Sequence, residues 1–247
     1  MQTDSLYTGL AGLQAITARM QAVAANLANS QTPGYAAVQA MTQADFYQGS
    51  NAPAGADAVV QTPGPDLTQG PLNHTGDPMN VALGGNAWLQ VQTASGNALT
   101  RNGTLSISAA GILTDTTGNP ILGTSGQPIS LPPLAKLEIG TDGTISGVPA
   151  ANPSGPAQNF GQLALITTPS GTLTPLTGTL YSPPAGATLT PATDGSLHQG
   201  YLNDSNVDPT QSMIEMIDDS RSYQLQTDMM KNQGAAAQNL NALLAQG

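Results

Sequence analysis

A chain of 247 residues is long enough for one large or two modest domains, yet only 8% of its residues are charged, against roughly 25% in an average globular protein. Five cations (Arg19, Arg101, Lys136, Arg221 and Lys231) face fifteen carboxylates, for a formal net charge of −10. That balance excludes the basic patch a nucleic-acid binder needs for phosphate contacts, and it argues against an anionic membrane surface as partner. Cysteine is absent, so disulfides and thiol chemistry are excluded too. No apolar run reaches the ~18 residues of a membrane-spanning helix, so no membrane insertion is expected. The N-terminus lacks the cationic region of a cleavable signal peptide.

The first element in chain order is a helix. Asp4 or Ser5 can cap it, and apolar positions then alternate by four and three: Leu6, Leu10, Leu13, Thr17, Met20, Ala24 and Leu27. Ile16 and Val23 widen the stripe. Pro33 disfavours helix at Thr32 and Gly34 supplies a turn, so this first module is read as 1–35. Residues 36–71 read as an extended connector. The part from Ala36 to Phe46 alternates loosely, as an extended segment or a short strand would, and Gln48 to Gly70 is poor in bulky apolar residues.

From 72 to 181 the period switches to two. Short strands are expected at Met79–Leu83, Trp88–Thr93, Leu99–Arg101, Thr104–Ser108, Ile112–Asp115, Pro120–Leu122, Ile129–Leu131, Leu137–Ile139, Thr144–Ser146 and Leu163–Thr167. Ser95-Gly96-Asn97, Asn102-Gly103, Thr117-Gly118-Asn119-Pro120 and Thr141-Asp142-Gly143 are the turn signals between them. Such spacing argues for an antiparallel barrel or sandwich rather than βαβ units. Residues 182–207, rich in Pro, Gly and Thr, read as a second connector.

A long helix closes the chain, at 208–247. Asp208 is its expected N-cap, Pro209 fits the first helical position and Gln211 is placed to close a capping-box-like pair. Met216, Tyr223, Met230, Ala237 and Leu244 recur every seven residues, the spacing of a coiled-coil seam. The alternate positions Ser220, Thr227, Gly234 and Asn241 are weak. The fold class that follows is α+β, with N- and C-terminal helices pairing as a coiled-coil-like module and a mainly antiparallel β domain inserted between them.

Motifs that carry chemistry are missing. His74 and His198 stand alone, outside any ligand-spaced cluster such as HExxH. No nucleophile elbow accompanies the many serines. Glu138 and Glu215 are the only glutamates, and the aspartates cluster in turns, where a local hydrogen-bonding role accounts for them. Gly84-Gly85 follows a strand but belongs to no phosphate-loop pattern. Trp88, in an alternating strand, is expected in the core. No catalytic, cofactor-binding or metal residue is assigned.

Three ordered blocks carry a resemblance. Asn26-Leu-Ala-Asn-Ser-Gln-Thr-Pro-Gly-Tyr35 resembles the N-terminal signature of bacterial flagellar rod and hook proteins, with Asn26, Ala28, Asn29, Thr32, Gly34 and Tyr35 on its pattern. Ser205, Asn206 and Val207, followed by Met216-Ile217, Arg221 and Tyr223, resemble the C-terminal signature. Asp77 to Val91 and Leu99-Thr-Arg-Asn-Gly-Thr-Leu105 are similar to the middle segment. Ala25, Ala36 and Asn203 depart from the pattern, standing where Asn, a basic residue and Glu are usual.

The resemblance implies a structural subunit of the flagellar rod, closest in length and tail to a proximal-rod member. It implies assembly with other rod subunits and with copies of itself, and passage through the flagellar export apparatus without a cleaved signal. It implies a place in the basal body within the periplasmic space, and no cofactor. On that reading the helix seams, Leu6, Leu10, Leu13, Met20, Leu27, Met216, Tyr223, Met230 and Leu244, are the assembly surface. A distal-rod subunit is the nearest alternative. A secreted β-rich adhesin or carbohydrate-binding protein is the alternative from another class.

Overall fold

The computed structural model describes residues 2–38, 41–47, 55–61, 64–168, 173–183, 186 and 189–244. The chain falls into two compact units, one made of Met1–Ala28, Val38–Pro63 and Asp208–Gly247, the other of Asn29–Ala37 and Gly64–Val207.

The first unit is built on two helices, α1 (Gln2–Ala28) and α2 (Pro209–Leu244). Helix α1 begins at Gln2, ahead of the caps expected at Asp4 or Ser5, because nothing in the first turn opposes helix. Thr17, a β-branched residue in its middle, turns its hydroxyl back onto the Leu13 carbonyl at 2.8 Å. The helix stops five residues before Pro33. Helix α2 starts as expected at Asp208, whose Oδ1 accepts the backbone N–H of Thr210 (2.8 Å) and of Gln211 (3.2 Å). The box does not close, however. The Gln211 amide runs forward to Glu215 Oε1 at 2.9 Å.

Contacts between the helices run in opposite directions along the two. Gln226 Nε2 donates to the Gly9 carbonyl at 3.2 Å, and Arg19 meets Asp219 at 2.9 Å. A two-stranded antiparallel hairpin, Met41–Tyr47 with Gly55–Gln61, completes the unit, its second strand beside α1. It lies inside the stretch read as a connector. Val59-Val60 and Phe46-Tyr47 supply β propensity there, but the small residues from Gly55 to Ala58 conceal the alternation.

Every strand pairing in the second unit is antiparallel among the described residues. The Trp88–Thr93 and Gly96–Thr100 hairpin sits mid-sheet. Leu165–Thr167 and Thr190–Pro191 flank it on one side, Leu180–Ser182 and Thr174–Pro175 on the other. A three-stranded sheet orders Gln158–Gln162, Thr144–Pro149 and Leu134–Ile139. The core gathers Val81, Leu89, Val91, Leu113, Ile121 and Ile145, all fully buried.

The 182–207 stretch is not a connector. Ser196–Gln199 pairs with Val81–Gly84, and Tyr201–Asn203 pairs with Leu72–His74. Each contributes one buried leucine, Leu197 or Leu202, to an otherwise polar strand. One apolar residue per strand gives no readable period, so partners far back in the sequence decide the structure.

Candidate assembly surfaces and the motif loop

The signature residues after α1 form a loop in the β-rich unit. Thr32 N–H donates to the Asn29 carbonyl (3.0 Å), and its hydroxyl meets the Asn29 side chain (3.2 Å). Gly34 then takes φ +71°, and its N–H donates to the Asn203 carbonyl at 2.8 Å. A Cβ here would collide with the backbone of Arg101 and Asn102. Position 34 therefore needs glycine twice over, for its left-handed backbone and for close approach. Tyr35 and Ala36 are buried behind it.

Two further stretches of chain hold this loop. The Tyr181 hydroxyl accepts from Ala36 N (3.3 Å) and donates to Ala36 O (3.1 Å). Asn206 Oδ1 accepts Ala37 N–H at 2.7 Å, while its Nδ2 donates to the carbonyls of Asp66 (3.0 Å) and Thr68 (2.9 Å). One amide side chain thus satisfies three backbone groups from two segments. Ser205 is buried beside it, and its hydroxyl accepts Val207 N–H. So the N-terminal and C-terminal signatures, separated by some 170 residues, converge on one loop.

Under the loop lies a cation that the site assignment from sequence omitted. Arg101 is buried, donates from its two terminal nitrogens to the carbonyls of Leu67 (2.8 Å) and Gly85 (2.9 Å), and lies 4.7 Å over the Trp88 ring. Trp88 in turn meets Tyr181 edge-on, with ring centroids 5.2 Å apart. Burial pulls the Arg101 guanidinium below its usual range. Its position in Leu99-Thr-Arg-Asn-Gly, on a signature of its own, was the available signal.

Burial also pushes the Tyr181 phenol up to about 12, against the opposing hydrogen bond it accepts from Ala36 N–H, and it raises Tyr35 as well. A raised phenol stabilises the fold fully below the unfolded value near 10, and that contribution is lost as pH climbs through about 12. In a spectrophotometric titration of the six tyrosines, Tyr181 should ionise late, together with alkaline unfolding, with Tyr35 also above the ordinary range. A Tyr181→Phe variant should lose that late step. An unchanged titration in the variant would place Tyr181 in water.

The remaining signature residues lie in the helical unit. Asn26 forms a two-way pair with Val38, its Nδ2 donating to the carbonyl (2.9 Å) and its Oδ1 accepting the N–H (2.8 Å). Ala28 and Arg221 are exposed.

Within the chain, the α1–α2 contact runs beside the expected α1 seam. On α1, Gly9 and Gly12 approach α2, next to Met230 and Gln226, and Arg19 meets Asp219. This facing row is one residue out of step with Leu10, Leu13 and Met20. Leu10 is consequently 44% exposed, and Leu13, Met20 and Leu27 are half-buried. On α2, Met216 and Met230 are half-buried but Tyr223 is exposed. The side chains of Leu6 and Leu244 lie outside the described residues. Helix α2 also carries an exposed ridge at four-residue spacing that the seven-residue reading passed over: Met213, Ile217, Leu225 and Met229, with Arg221 in its middle. Side chains four apart share a helix face.

His74 and His198 are both exposed, His74 against the Tyr201 ring. Among the described residues no group of three His, Cys, Asp or Glu side chains is placed to hold a metal, and no helix is long and apolar enough to cross a membrane.

Comparison with known proteins converges on one family. Residues 6–35 match the family model described as flagella basal body rod protein, residues 82–147 the flagellar hook protein FlgE/F/G D1 domain, and residues 198–243 the flagellar basal body rod FlgEFG protein C-terminal. The chain is similar to the flagellar basal-body rod protein FlgF of Salmonella typhimurium, with 33% identity over 249 residues, covering 96% of this chain and 98% of the relative. It is 28% identical over 235 residues to FlgF of Caulobacter vibrioides, covering 93% of each. It is also 28% identical over 262 residues to the rod protein FlgG of Bacillus subtilis, covering 96% and 97%.

Proposed function

The chain belongs to the flagellar basal-body rod protein family, and from that premise we propose that it is a proximal-rod subunit whose terminal helices pair as a coiled-coil-like module and complete their packing against neighbouring subunits. It is a structural component of the rod. One observation carries the assembly reading: large apolar side chains stand exposed on both helices, Leu10 on α1 and Met213, Ile217, Leu225 and Met229 on α2. Large apolar side chains left in water at several positions of a helix pair favour a protein-binding role for these helices. The assembled helices would transmit motor torque and enclose the export channel.

The proposed partners are other rod subunits and further copies of the chain, with the flagellar export apparatus as a transient one. The chain would reach the periplasmic space without a cleaved signal peptide. No catalytic role is proposed, because no nucleophile, acid–base pair or metal cluster is assembled in what is described. The distal rod stays the second reading, since FlgG relatives match over nearly the full chain, at lower identity than the Salmonella FlgF. Family membership sets aside the adhesin alternative.

Subunit-resolution imaging of purified basal bodies tests the placement. The chain is expected in the rod segment nearest the membrane. Density for it only in the distal segment would favour the second reading, and its absence from the rod would overturn both.

A further inference from the structure

We propose that the Arg19–Asp219 pair sets the register of α1 against α2. Asp219 is 3% exposed, on a helix most of whose side chains are wet. Its Oδ1 meets Arg19 at 2.9 Å, and its Oδ2 is buried without a hydrogen-bond partner. Gly9 and Gly12 of α1 face the pliable Gln226 and Met230 of α2, and the other buried apolar side chains described on α1 are the small Ala15 and Val23. Glycines present no knobs, and Met and Gln refit easily.

The ion pair discriminates where these residues do not. Arg19 is the only cation of α1. In any other register Asp219 stays buried with no cation to meet it. A slip of one heptad, which keeps the same faces inward, sets Ser212 or Gln226 against Arg19 instead. Arg19 stands 47% exposed, so the buried partner is Asp219, and leaving that carboxylate without its cation is costlier than replacing both partners by apolar groups. Stability is not the reason for the pair. Burial raises the Asp219 carboxyl above its usual range despite Arg19, and Glu215 and Asp218 add repulsion. A charge retained at a net cost in one position of a helix pair is the known signature of a register device. Its consequence for assembly rests on the rod reading, because the register fixes how the exposed faces of α1 and α2 are offset.

Disulfide trapping in the full-length, otherwise cysteine-free chain tests the proposal without requiring a rod. A Cβ at Gly9 would stand 3.4 Å from Met230 Cγ, so Gly9→Cys with Met230→Cys reports the observed register. Gly9→Cys with Tyr223→Cys reports a one-heptad slip. With Arg19 and Asp219 intact, intramolecular cross-linking in dilute solution should favour the first pair by at least about tenfold. Adding Arg19→Met with Asp219→Leu should bring the slipped pair to a comparable yield while helix content by circular dichroism is retained. The charge swap Arg19→Asp with Asp219→Arg should restore the preference. The proposal is overturned if the apolar double variant keeps the original preference. Equal trapping of both pairs in the parent, or failure of the swap to restore the preference, would also overturn it. A register set by the pair in a chain absent from basal bodies would leave the inference standing and the rod reading refuted.

Discussion

Replacing Arg101 with methionine should lower the melting temperature of the β-rich unit by roughly 10 °C. The guanidinium donates to the carbonyls of Leu67 and Gly85, and methionine leaves both without that donor. Loss of the charge-assisted hydrogen bonds to these partly exposed carbonyls costs about 1–3 kcal/mol, and loss of the cation–π contact with Trp88 adds about 1–2 kcal/mol. The sum is about 2–5 kcal/mol, at ~2–4 °C per kcal/mol for a unit of this size. Lysine should do only partly better. It keeps the charge, but a single ammonium lacks the planar fork that spans two carbonyls and stacks on an indole. Trp88 is the only tryptophan, so its fluorescence follows this site alone during the melt. A methionine variant that melts like the parent would mean that Arg101 contributes no net stability and that the loop is held by Tyr181 and Asn206.

The local signals in the sequence were those that survive without tertiary context. The N-cap at Asp208, the end of α1 ahead of Pro33 and the Trp88–Thr93 hairpin each rest on chemistry within a few residues. The contact of α1 with α2 inside the chain was not legible in the heptad, for a physical reason. A heptad reading chooses the bulkiest residues, Leu10, Leu13 and Met20, whereas the contact with α2 uses Gly9 and Gly12 and an arginine. Small residues let backbones approach, and the large ones one step round the helix are left outward. Similarly, Asp218 and Asp219 look alike in sequence. The helix phase decides that Asp219 is buried against Arg19 while Asp218 faces water. The strands at Ser196–Gln199 and Tyr201–Asn203 were illegible because their partners lie more than a hundred residues earlier. The convergence of Gly34, Arg101, Tyr181 and Asn206 was visible only as separate blocks of a family resemblance, since no local pattern states that Asn206 will cap Ala37.

The position of this contact changes which substitutions should abolish assembly. Leu10→Asp and Ile217→Asp place a carboxylate where the free subunit already exposes the side chain, at 44% and 53%. Exposed substitutions of this sort usually alter stability by no more than about 0.5 kcal/mol, so the melt of the purified chain should hardly move. If these faces are covered by neighbours in the rod, the same charge becomes buried and unpaired there, at several kcal/mol per contact. A helical assembly repeats that contact at every subunit, so incorporation should fall below detection and motility should be lost. Met230→Asp behaves differently in principle. Met230 lies against Gly9 within the chain, so a charge there should loosen the helical unit before any neighbour arrives. The measurement is basal-body composition from cells carrying each variant, beside circular dichroism melts of the purified proteins. Normal incorporation of both Leu10→Asp and Ile217→Asp would show that neighbours do not cover these faces. A large loss of stability in the free subunit would show instead that they are already occupied within the chain.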